Sequence, residues 1–401
     1  MKAEIKQRIA QFNNGEVPQG YKVTTVGIVP QEWAEHTLGD IFTFKNGLNK
    51  EKEAFGEGTP IVNYTDVWKK RGLRTKDIKG RVTLSSSEIE NYEAKCGDVF
   101  FTRTSETIDE IGYSSVLLED IENAVFSGFV LRARPYNDLI CKEYHQYCYS
   151  QPNMRHEIIK RSSMTTRALT SGPMLSQVSI NIPSVSEQSK IAEILMKWDG
   201  AIELQEQYIG ALENRKKFLM KKLLTPQKDW DYVLLGDICE IKTGRLDANA
   251  MEEDGVYPFF TCSKDVYRIN QYSFDCEALL MAGNGDIGDV KYYKGKFDAY
   301  QRTYVLSKFT FNIHYVMQYL LLNFDRDVMR GMQKSSMPYI KLDLLNKAKI
   351  YYNPSAVEST VRILSIVDKE IEFYIKNLEQ TKKQRKALQQ YLLNGIVRVN
   401  K

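Results

Sequence analysis

Cysteine and histidine are scarce in this chain of 401 residues: six and four, respectively. The cysteines (Cys96, Cys141, Cys148, Cys239, Cys262, Cys276) form no CxxC pair. A disulfide framework is therefore not indicated, and reduced thiols in a cytoplasmic protein are expected. Long apolar runs are also missing. None approaches the ~20 residues of a membrane helix, and the opening MKAEIKQRIAQF lacks the apolar centre of a signal peptide, so no membrane partner is expected. An excess of one charge is absent too: Lys plus Arg number 55 and Asp plus Glu 51, leaving a net charge of +4. That excludes a polybasic coat protein, but not nucleic-acid binding through local patches. Catalytic strings are missing as well: no GxxxxGK[ST], no GxSxG, no HExxH. One GxGxxG string runs from Gly283 to Gly288, but the DVKYYKGKFDAY after it reads as a hairpin, not as the helix a dinucleotide site needs.

What is present is a repeat. Residues 33–47 (WAEHTLGDIFTFKNG) and 230–244 (WDYVLLGDICEIKTG) agree at seven of fifteen positions, and a Pro-Gln pair precedes each. Further on, AVFSGFVL (124–131) parallels AYQRTYVL (299–306), and Ser162-Ser163-Met164 parallels Ser335-Ser336-Met337. Such self-similarity makes the chain two copies of one unit. Each copy begins with a part rich in Tyr, Phe, Val, Thr and Gly, broken by turn signals, which favours strands with a few short helices. Each ends in a long helix. The expected division is an N-terminal segment (1–20), a β-rich domain (21–183), a helix (184–225), a second β-rich domain (226–353), and a second helix with a tail (354–401).

Capping boxes are expected at the two helix starts, Ser184 with Glu187 and Ser355 with Glu358. The helices carry heptad seams. The first is Ile191, Leu195, Trp198, Ile202, Gln205, Ile209, Leu212, Lys216, Leu219, Leu223; the second is Leu364, Val367, Ile371, Tyr374, Leu378, Thr381, Arg385, Leu388, Leu392. A 3.5-residue period marks a narrow stripe made to meet another helix. The fold class is thus α+β: two β-rich domains separated by two long helices forming an antiparallel coiled coil, with a pseudo-twofold internal repeat. Polar seam positions recur in both copies, Gln205 with Tyr374 and Lys216 with Arg385, where they would help fix register or admit partner contacts.

Cys141, His145 and Cys148 stand at i, i+4 and i+7, a spacing that could set three zinc ligands on one helix face with His156 as a fourth. The second copy offers His314, Gln318 and Leu321 instead and keeps only the apolar positions, which favours core packing over metal.

A duplicated module without catalytic motifs suits a target with two sites, and duplex DNA read at two half-sites is such a target. Helices of ~34 residues, about 50 Å long, would hold the modules on the order of a helical turn or more apart. Three groups are candidates for DNA contact. The first surrounds the shared Ser-Ser-Met: Lys160, Arg161, Ser162, Ser163 and Arg167 with Arg155, and in the second copy Arg330, Lys334, Ser335, Ser336 and Lys341 with Arg326. The second is Arg103-Thr104 after the apolar run 99–101, opposite Gly283-Asn284; an arginine there could fork onto guanine. The third is Lys45, Asn46, Asn49 and Lys50 with Asn63 and Tyr64, and Lys242 and Arg245 in the second copy. No catalytic residue and no metal ligand is assigned.

These strings carry a resemblance. VPQGYKVTTVGIVPQEW, LGDIF, KNGLNKEKEAFGEGTPIVNYTDV, IPSVSEQSKIAEILMKWDGAI and LENRKKFLMKKLLTP are similar to the specificity (S) subunit of type I restriction–modification systems over essentially the whole chain. The string at 182–224 is the most specific; copy two keeps ILxxVDxxI and LLNG but replaces the Glu-Gln pair by Glu358-Ser359. The resemblance implies two target recognition domains reading an interrupted double-stranded DNA sequence, with the helices as spacer. It implies methyltransferase (M) and restriction (R) subunits as partners. They would carry S-adenosylmethionine, ATP and Mg, with no cofactor in this chain and no catalysis by it. A stand-alone DNA-processing enzyme and a protein-only coiled-coil scaffold are the alternatives.

Overall fold

The computed structural model describes residues 3–327 and 339–399. The chain divides into two units: Met1–Glu203 with Glu379–Lys401, and Leu204–Leu378. Each takes one β-rich module and one half of each long helix.

In the first unit the run Val99–Thr102 is buried on both faces, as a continuous apolar run predicts for a central strand. It lies in a five-stranded sheet ordered Phe42–Asn46, Val130–Pro135, Val99–Thr102, Ser114–Leu117, Gly72–Leu73. Successive side chains point to opposite faces. Phe101 joins a core with Phe42, Leu131, Tyr149 and Leu175, while Phe100 joins Val62, Leu73, Leu117 and Phe126. The Phe101 core also takes in Ile191 and Leu195 of the first long helix and Leu392 of the second. The second unit repeats the plan. Its six-stranded sheet runs Glu240–Thr243, Thr303–Ser307, Phe274–Ala282, Val290–Ala299, Tyr257–Phe260, Val266–Ile269. Leu279 and Met281 pack with Met220, Leu224 and Leu364 of the helices, and Ala278 and Leu280 pack on the other face.

The long helices are Val185–Leu224 (40 residues) and Val357–Leu393 (37 residues). Their pairing is antiparallel in each unit. In the first, Asp199 meets Arg385 at 2.7 Å. In the second, Tyr208 packs on Tyr374 with ring centroids 4.7 Å apart, and Lys216 meets Asp368 at 2.6 Å. The expected seam residues are all buried or half-buried.

Three expectations need correction. The first capping box is half made: the Glu187 amide donates to Ser184 Oγ (3.4 Å), but the Glu187 carboxylate accepts from the buried Trp33 indole (3.1 Å) and pairs with Arg398 (2.8 Å). A full ion pair with a partner distant in sequence outcompetes the local bond. At the second start Asn353 Oδ1 accepts from the Ser355 amide (3.1 Å) and hydroxyl (2.8 Å), and Glu358 accepts from Asn312 instead. The Cys141–Cys148 stretch is not a long helix; it holds one 3-10 turn, Tyr144–Gln146. There His145 is buried and its Nδ1 lies 2.7 Å from the Tyr149 hydroxyl, so the face is core.

The third correction is one of register. Leu131 pairs with Asn46 and Tyr304 with Thr243; Ser127 bridges Leu48 and Tyr300 bridges Leu246. Since residues 33–47 match 230–244, Leu131 corresponds to Tyr304 and Phe129 to Arg302. The expected match of AVFSGFVL with AYQRTYVL is displaced by two residues. A slip of two leaves every side chain on its own face, so alternation cannot reveal it.

Candidate nucleic-acid interface

A close backbone approach builds the candidate face of the first unit. A Cβ on Gly47 would lie 2.1 Å from the Ser127 carbonyl oxygen, so only glycine lets the chain pass. The turn at 127–129 then reaches the segment after Gly47, where the Gly128 amide donates to the Leu48 carbonyl (2.6 Å). On its other side the Arg103 amide donates to the Phe129 carbonyl (3.0 Å), and the Thr170 amide to that of Arg103 (3.0 Å). Thr104 pairs with Leu169, and Leu169 with Ser163. Three segments separated in sequence are thereby joined: 46–49, 103–104 and 163–169. Asn46, Asn49 and Arg167 are exposed there.

Other candidates are committed elsewhere. Lys45 Nζ donates to the carbonyl (2.5 Å) and side-chain oxygen (2.6 Å) of Asn91. Lys50 pairs with Glu88 at 2.7 Å, and that lysine together with Ser85 holds the Glu88 carboxyl down to about 2. Arg161 donates to Gln177 (3.0 Å) and lies 3.4 Å from buried Glu157, which also draws Lys160 (3.6 Å). Ser162 Oγ donates to the Ile158 carbonyl (2.8 Å), closing its helix. The Arg155 guanidinium donates to the carbonyls of Asp109 (3.0 Å), Ile111 (2.5 Å) and Gly112 (2.8 Å), a structural clamp. Asn63 caps the helix Tyr64–Lys69 with Asp66, next to Val62, whose carbonyl accepts from the Ser127 amide (3.0 Å), and Tyr64 is half-buried in its first turn.

The second unit has the same construction. A Cβ on Gly244 would lie 1.8 Å from the Ala299 oxygen. The Gln301 amide donates to the Leu246 carbonyl (2.9 Å), the Gly283 amide to that of Arg302 (2.9 Å), and the Ile340 amide to that of Gly283 (2.9 Å). Arg245 and Lys341 are exposed on these segments and Asn284 is half-buried. Lys242 pairs with Glu240 (2.6 Å), whose carboxyl is held down to about 2 by Lys242 and Lys308. The GxGxxG string is the loop of the hairpin between Phe274–Ala282 and Val290–Ala299. Arg330, Lys334, Ser335 and Ser336 lie outside the described residues, as does the Arg326 side chain.

Sequence reasoning missed Phe129 and Arg302, the matching positions of the two turns. Phe129 is 58% exposed, and Arg302 is exposed as well. A signal was available in the polar Gln301-Arg302 pair that stands between Ala299-Tyr300 and the apolar Tyr304-Val305-Leu306. Among the described residues, no three His, Cys, Asp or Glu side chains gather as a metal ion would require.

Residues 30–214 and 227–385 match the family model described as Type I restriction modification DNA specificity domain. Over 172 residues the chain is 37% identical to the Type I restriction enzyme EcoDI specificity subunit of Escherichia coli, covering 42% of this chain and 38% of that one. It is 25% identical to the Putative type I restriction enzyme MjaX specificity subunit of Methanocaldococcus jannaschii, covering 95% and 97%. Its fold is similar to that of the type I S subunit from M. genitalium (TM-score 0.59, 16% identity, 90% of this chain and 96% of that one). A chain from a structure on complex assembly and conformational transition of the type I R-M system gives a TM-score of 0.56 at 12% identity, covering 92% and 99%.

Proposed function

The chain belongs to the type I restriction–modification DNA specificity family, and we propose that it selects the DNA sequence for a complex whose chemistry its partners perform. Each module reads one half of an interrupted duplex site. Methyltransferase subunits, with S-adenosylmethionine, and restriction subunits, with ATP and Mg, supply the reactions. The observation that carries this reading is the pair of joined-segment faces, built by the same backbone bonds and bearing different side chains. One scaffold with two chemistries is what two unlike half-sites require. The partner role draws on apolar side chains left exposed on the long helices, among them Met196 in the first unit, and Leu204, Phe218, Ile366 and Phe373 in the second. No helix of the described residues is long and apolar enough to cross a membrane.

The test is duplex binding by the chain assembled with its methyltransferase subunits, over a range of salt. Binding weakens steeply with salt, and Arg167→Ala and Lys341→Ala each flatten the log–log slope by about one. A complex that assembles but shows no affinity for duplex DNA would sink the proposal. So would cleavage or methylation of DNA by the purified chain alone with Mg²⁺ and S-adenosylmethionine.

A further inference from the structure

The two faces share a pair of adjoining backbone seats. In the first unit they are held by Arg103 and Phe129, joined by the bond from the Arg103 amide to the Phe129 carbonyl (3.0 Å). In the second they are held by Gly283 and Arg302, joined by the matching bond (2.9 Å). Each module thus carries one arginine, on opposite seats. The exchange has a steric cause. A Cβ on Gly283 would stand 2.5 Å from the Arg302 carbonyl oxygen and 3.1 Å from the Tyr304 ring, so that seat admits no side chain. Only the neighbouring seat can present an arginine in the second unit.

Both guanidinium groups are spare. Arg302 is exposed and, among the described residues, its side chain makes no hydrogen bond or ion pair. Among the described residues, the Arg103 side chain makes a single long bond, 3.4 Å, to the Gly128 carbonyl. By contrast the candidates Lys45, Lys50, Arg161 and Lys242 are held by internal acceptors. A planar fork of donors on a backbone-fixed turn matches the O6 and N7 acceptors of guanine.

Resting on the DNA-reading role above, we infer that Arg302 reads a guanine in the half-site of the second module, as the counterpart of Arg103 in the first. Arg167, Arg245 and Lys341 lie off the two seats and serve phosphates.

The experiment uses the full chain assembled with its methyltransferase subunits, with the methylated motif determined by sequencing on a library of duplexes. Arg302→Gln relaxes the motif at one G·C position of one half-site, cutting discrimination there by about 5- to 150-fold, and leaves the other half-site intact. Arg103→Gln does the same in the other half-site alone. Arg302→Lys keeps the charge without the fork and relaxes the same position. A uniform loss of binding across sequences, restored by Arg302→Lys, would make Arg302 a phosphate contact and overturn the inference. An unchanged motif would overturn it as well. If the wild-type complex modifies DNA without sequence preference, the DNA-reading role itself falls, and the inference with it.

Discussion

His145 is 2% exposed, packs against the Phe42 ring, and lies with Nδ1 2.7 Å from the Tyr149 hydroxyl. Burial pushes its pKa from 6.5 down to about 3. The folded state therefore holds the neutral ring, while the unfolded chain takes up a proton below about 6.5. The stability linked to this group is present in full above the unfolded value and is lost as pH falls toward 3. Between pH 7 and pH 5 the loss is about 2 kcal/mol. His145→Phe removes the titration and deprives the Tyr149 hydroxyl of its imidazole partner, costing about 1–3 kcal/mol at pH 7. Urea unfolding of the two proteins at pH 7 and pH 5 checks this. The variant is weaker at pH 7 but loses about 2 kcal/mol less on acidification; equal losses would reject the assignment.

At the scale of elements, the polar positions in the helix seams explain themselves once their partners are known. Arg385, 6% exposed, forks onto both carboxylate oxygens of Asp199 (2.7 and 3.0 Å), and the Tyr147 hydroxyl donates to the same group (3.0 Å). The matching position in the other unit is Lys216, a half-exposed point charge on Asp368 (2.6 Å), where Gln318 Nε2 takes the place of the tyrosine hydroxyl (2.7 Å). The two pairs differ in the cation: Arg385 is buried and forks onto its carboxylate, while Lys216 is half-buried and makes a single contact, which is worth less. Arg385→Met costs about 2 kcal/mol, below the range for a fully buried pair, because Asp199 is 40% exposed and keeps the Tyr147 hydroxyl. Lys216→Met costs about 1 kcal/mol. Denaturant midpoints separate them; equal costs would show that burial does not set the difference. The seams were legible because a 3.5-residue period is local. The fates of Glu187 and Glu358 were not, because their acceptor oxygens are claimed by Arg398 and Asn312, far away in the chain. Arg302 was hidden for a related reason. Strand alternation has period two, and the two-residue slip that concealed its match with Phe129 preserves that period.

At the scale of the whole molecule, each long helix is one continuous element that serves two units. Residues 185–203 and 379–393 build into the first core, and 204–224 and 357–378 into the second. A spacer of this kind can be lengthened without touching either module. One heptad inserted after Glu203 and one after Leu378 keep both seams in phase, because the stripe repeats every seven residues. Each insertion adds about 10 Å of helix. Arg103 and Arg302, the residues proposed to read bases, lie outside the inserted turns, so the half-sites they are proposed to select stay the same. The complex carrying both insertions accordingly methylates a motif with the same two half-sites and a longer gap between them. Methylation sequencing of a host expressing the double insertion with its methyltransferase reads both properties at once. Retention of the original gap would remove the spacer role from the helices, whereas a change in either half-site would show that the modules do not read independently of their separation.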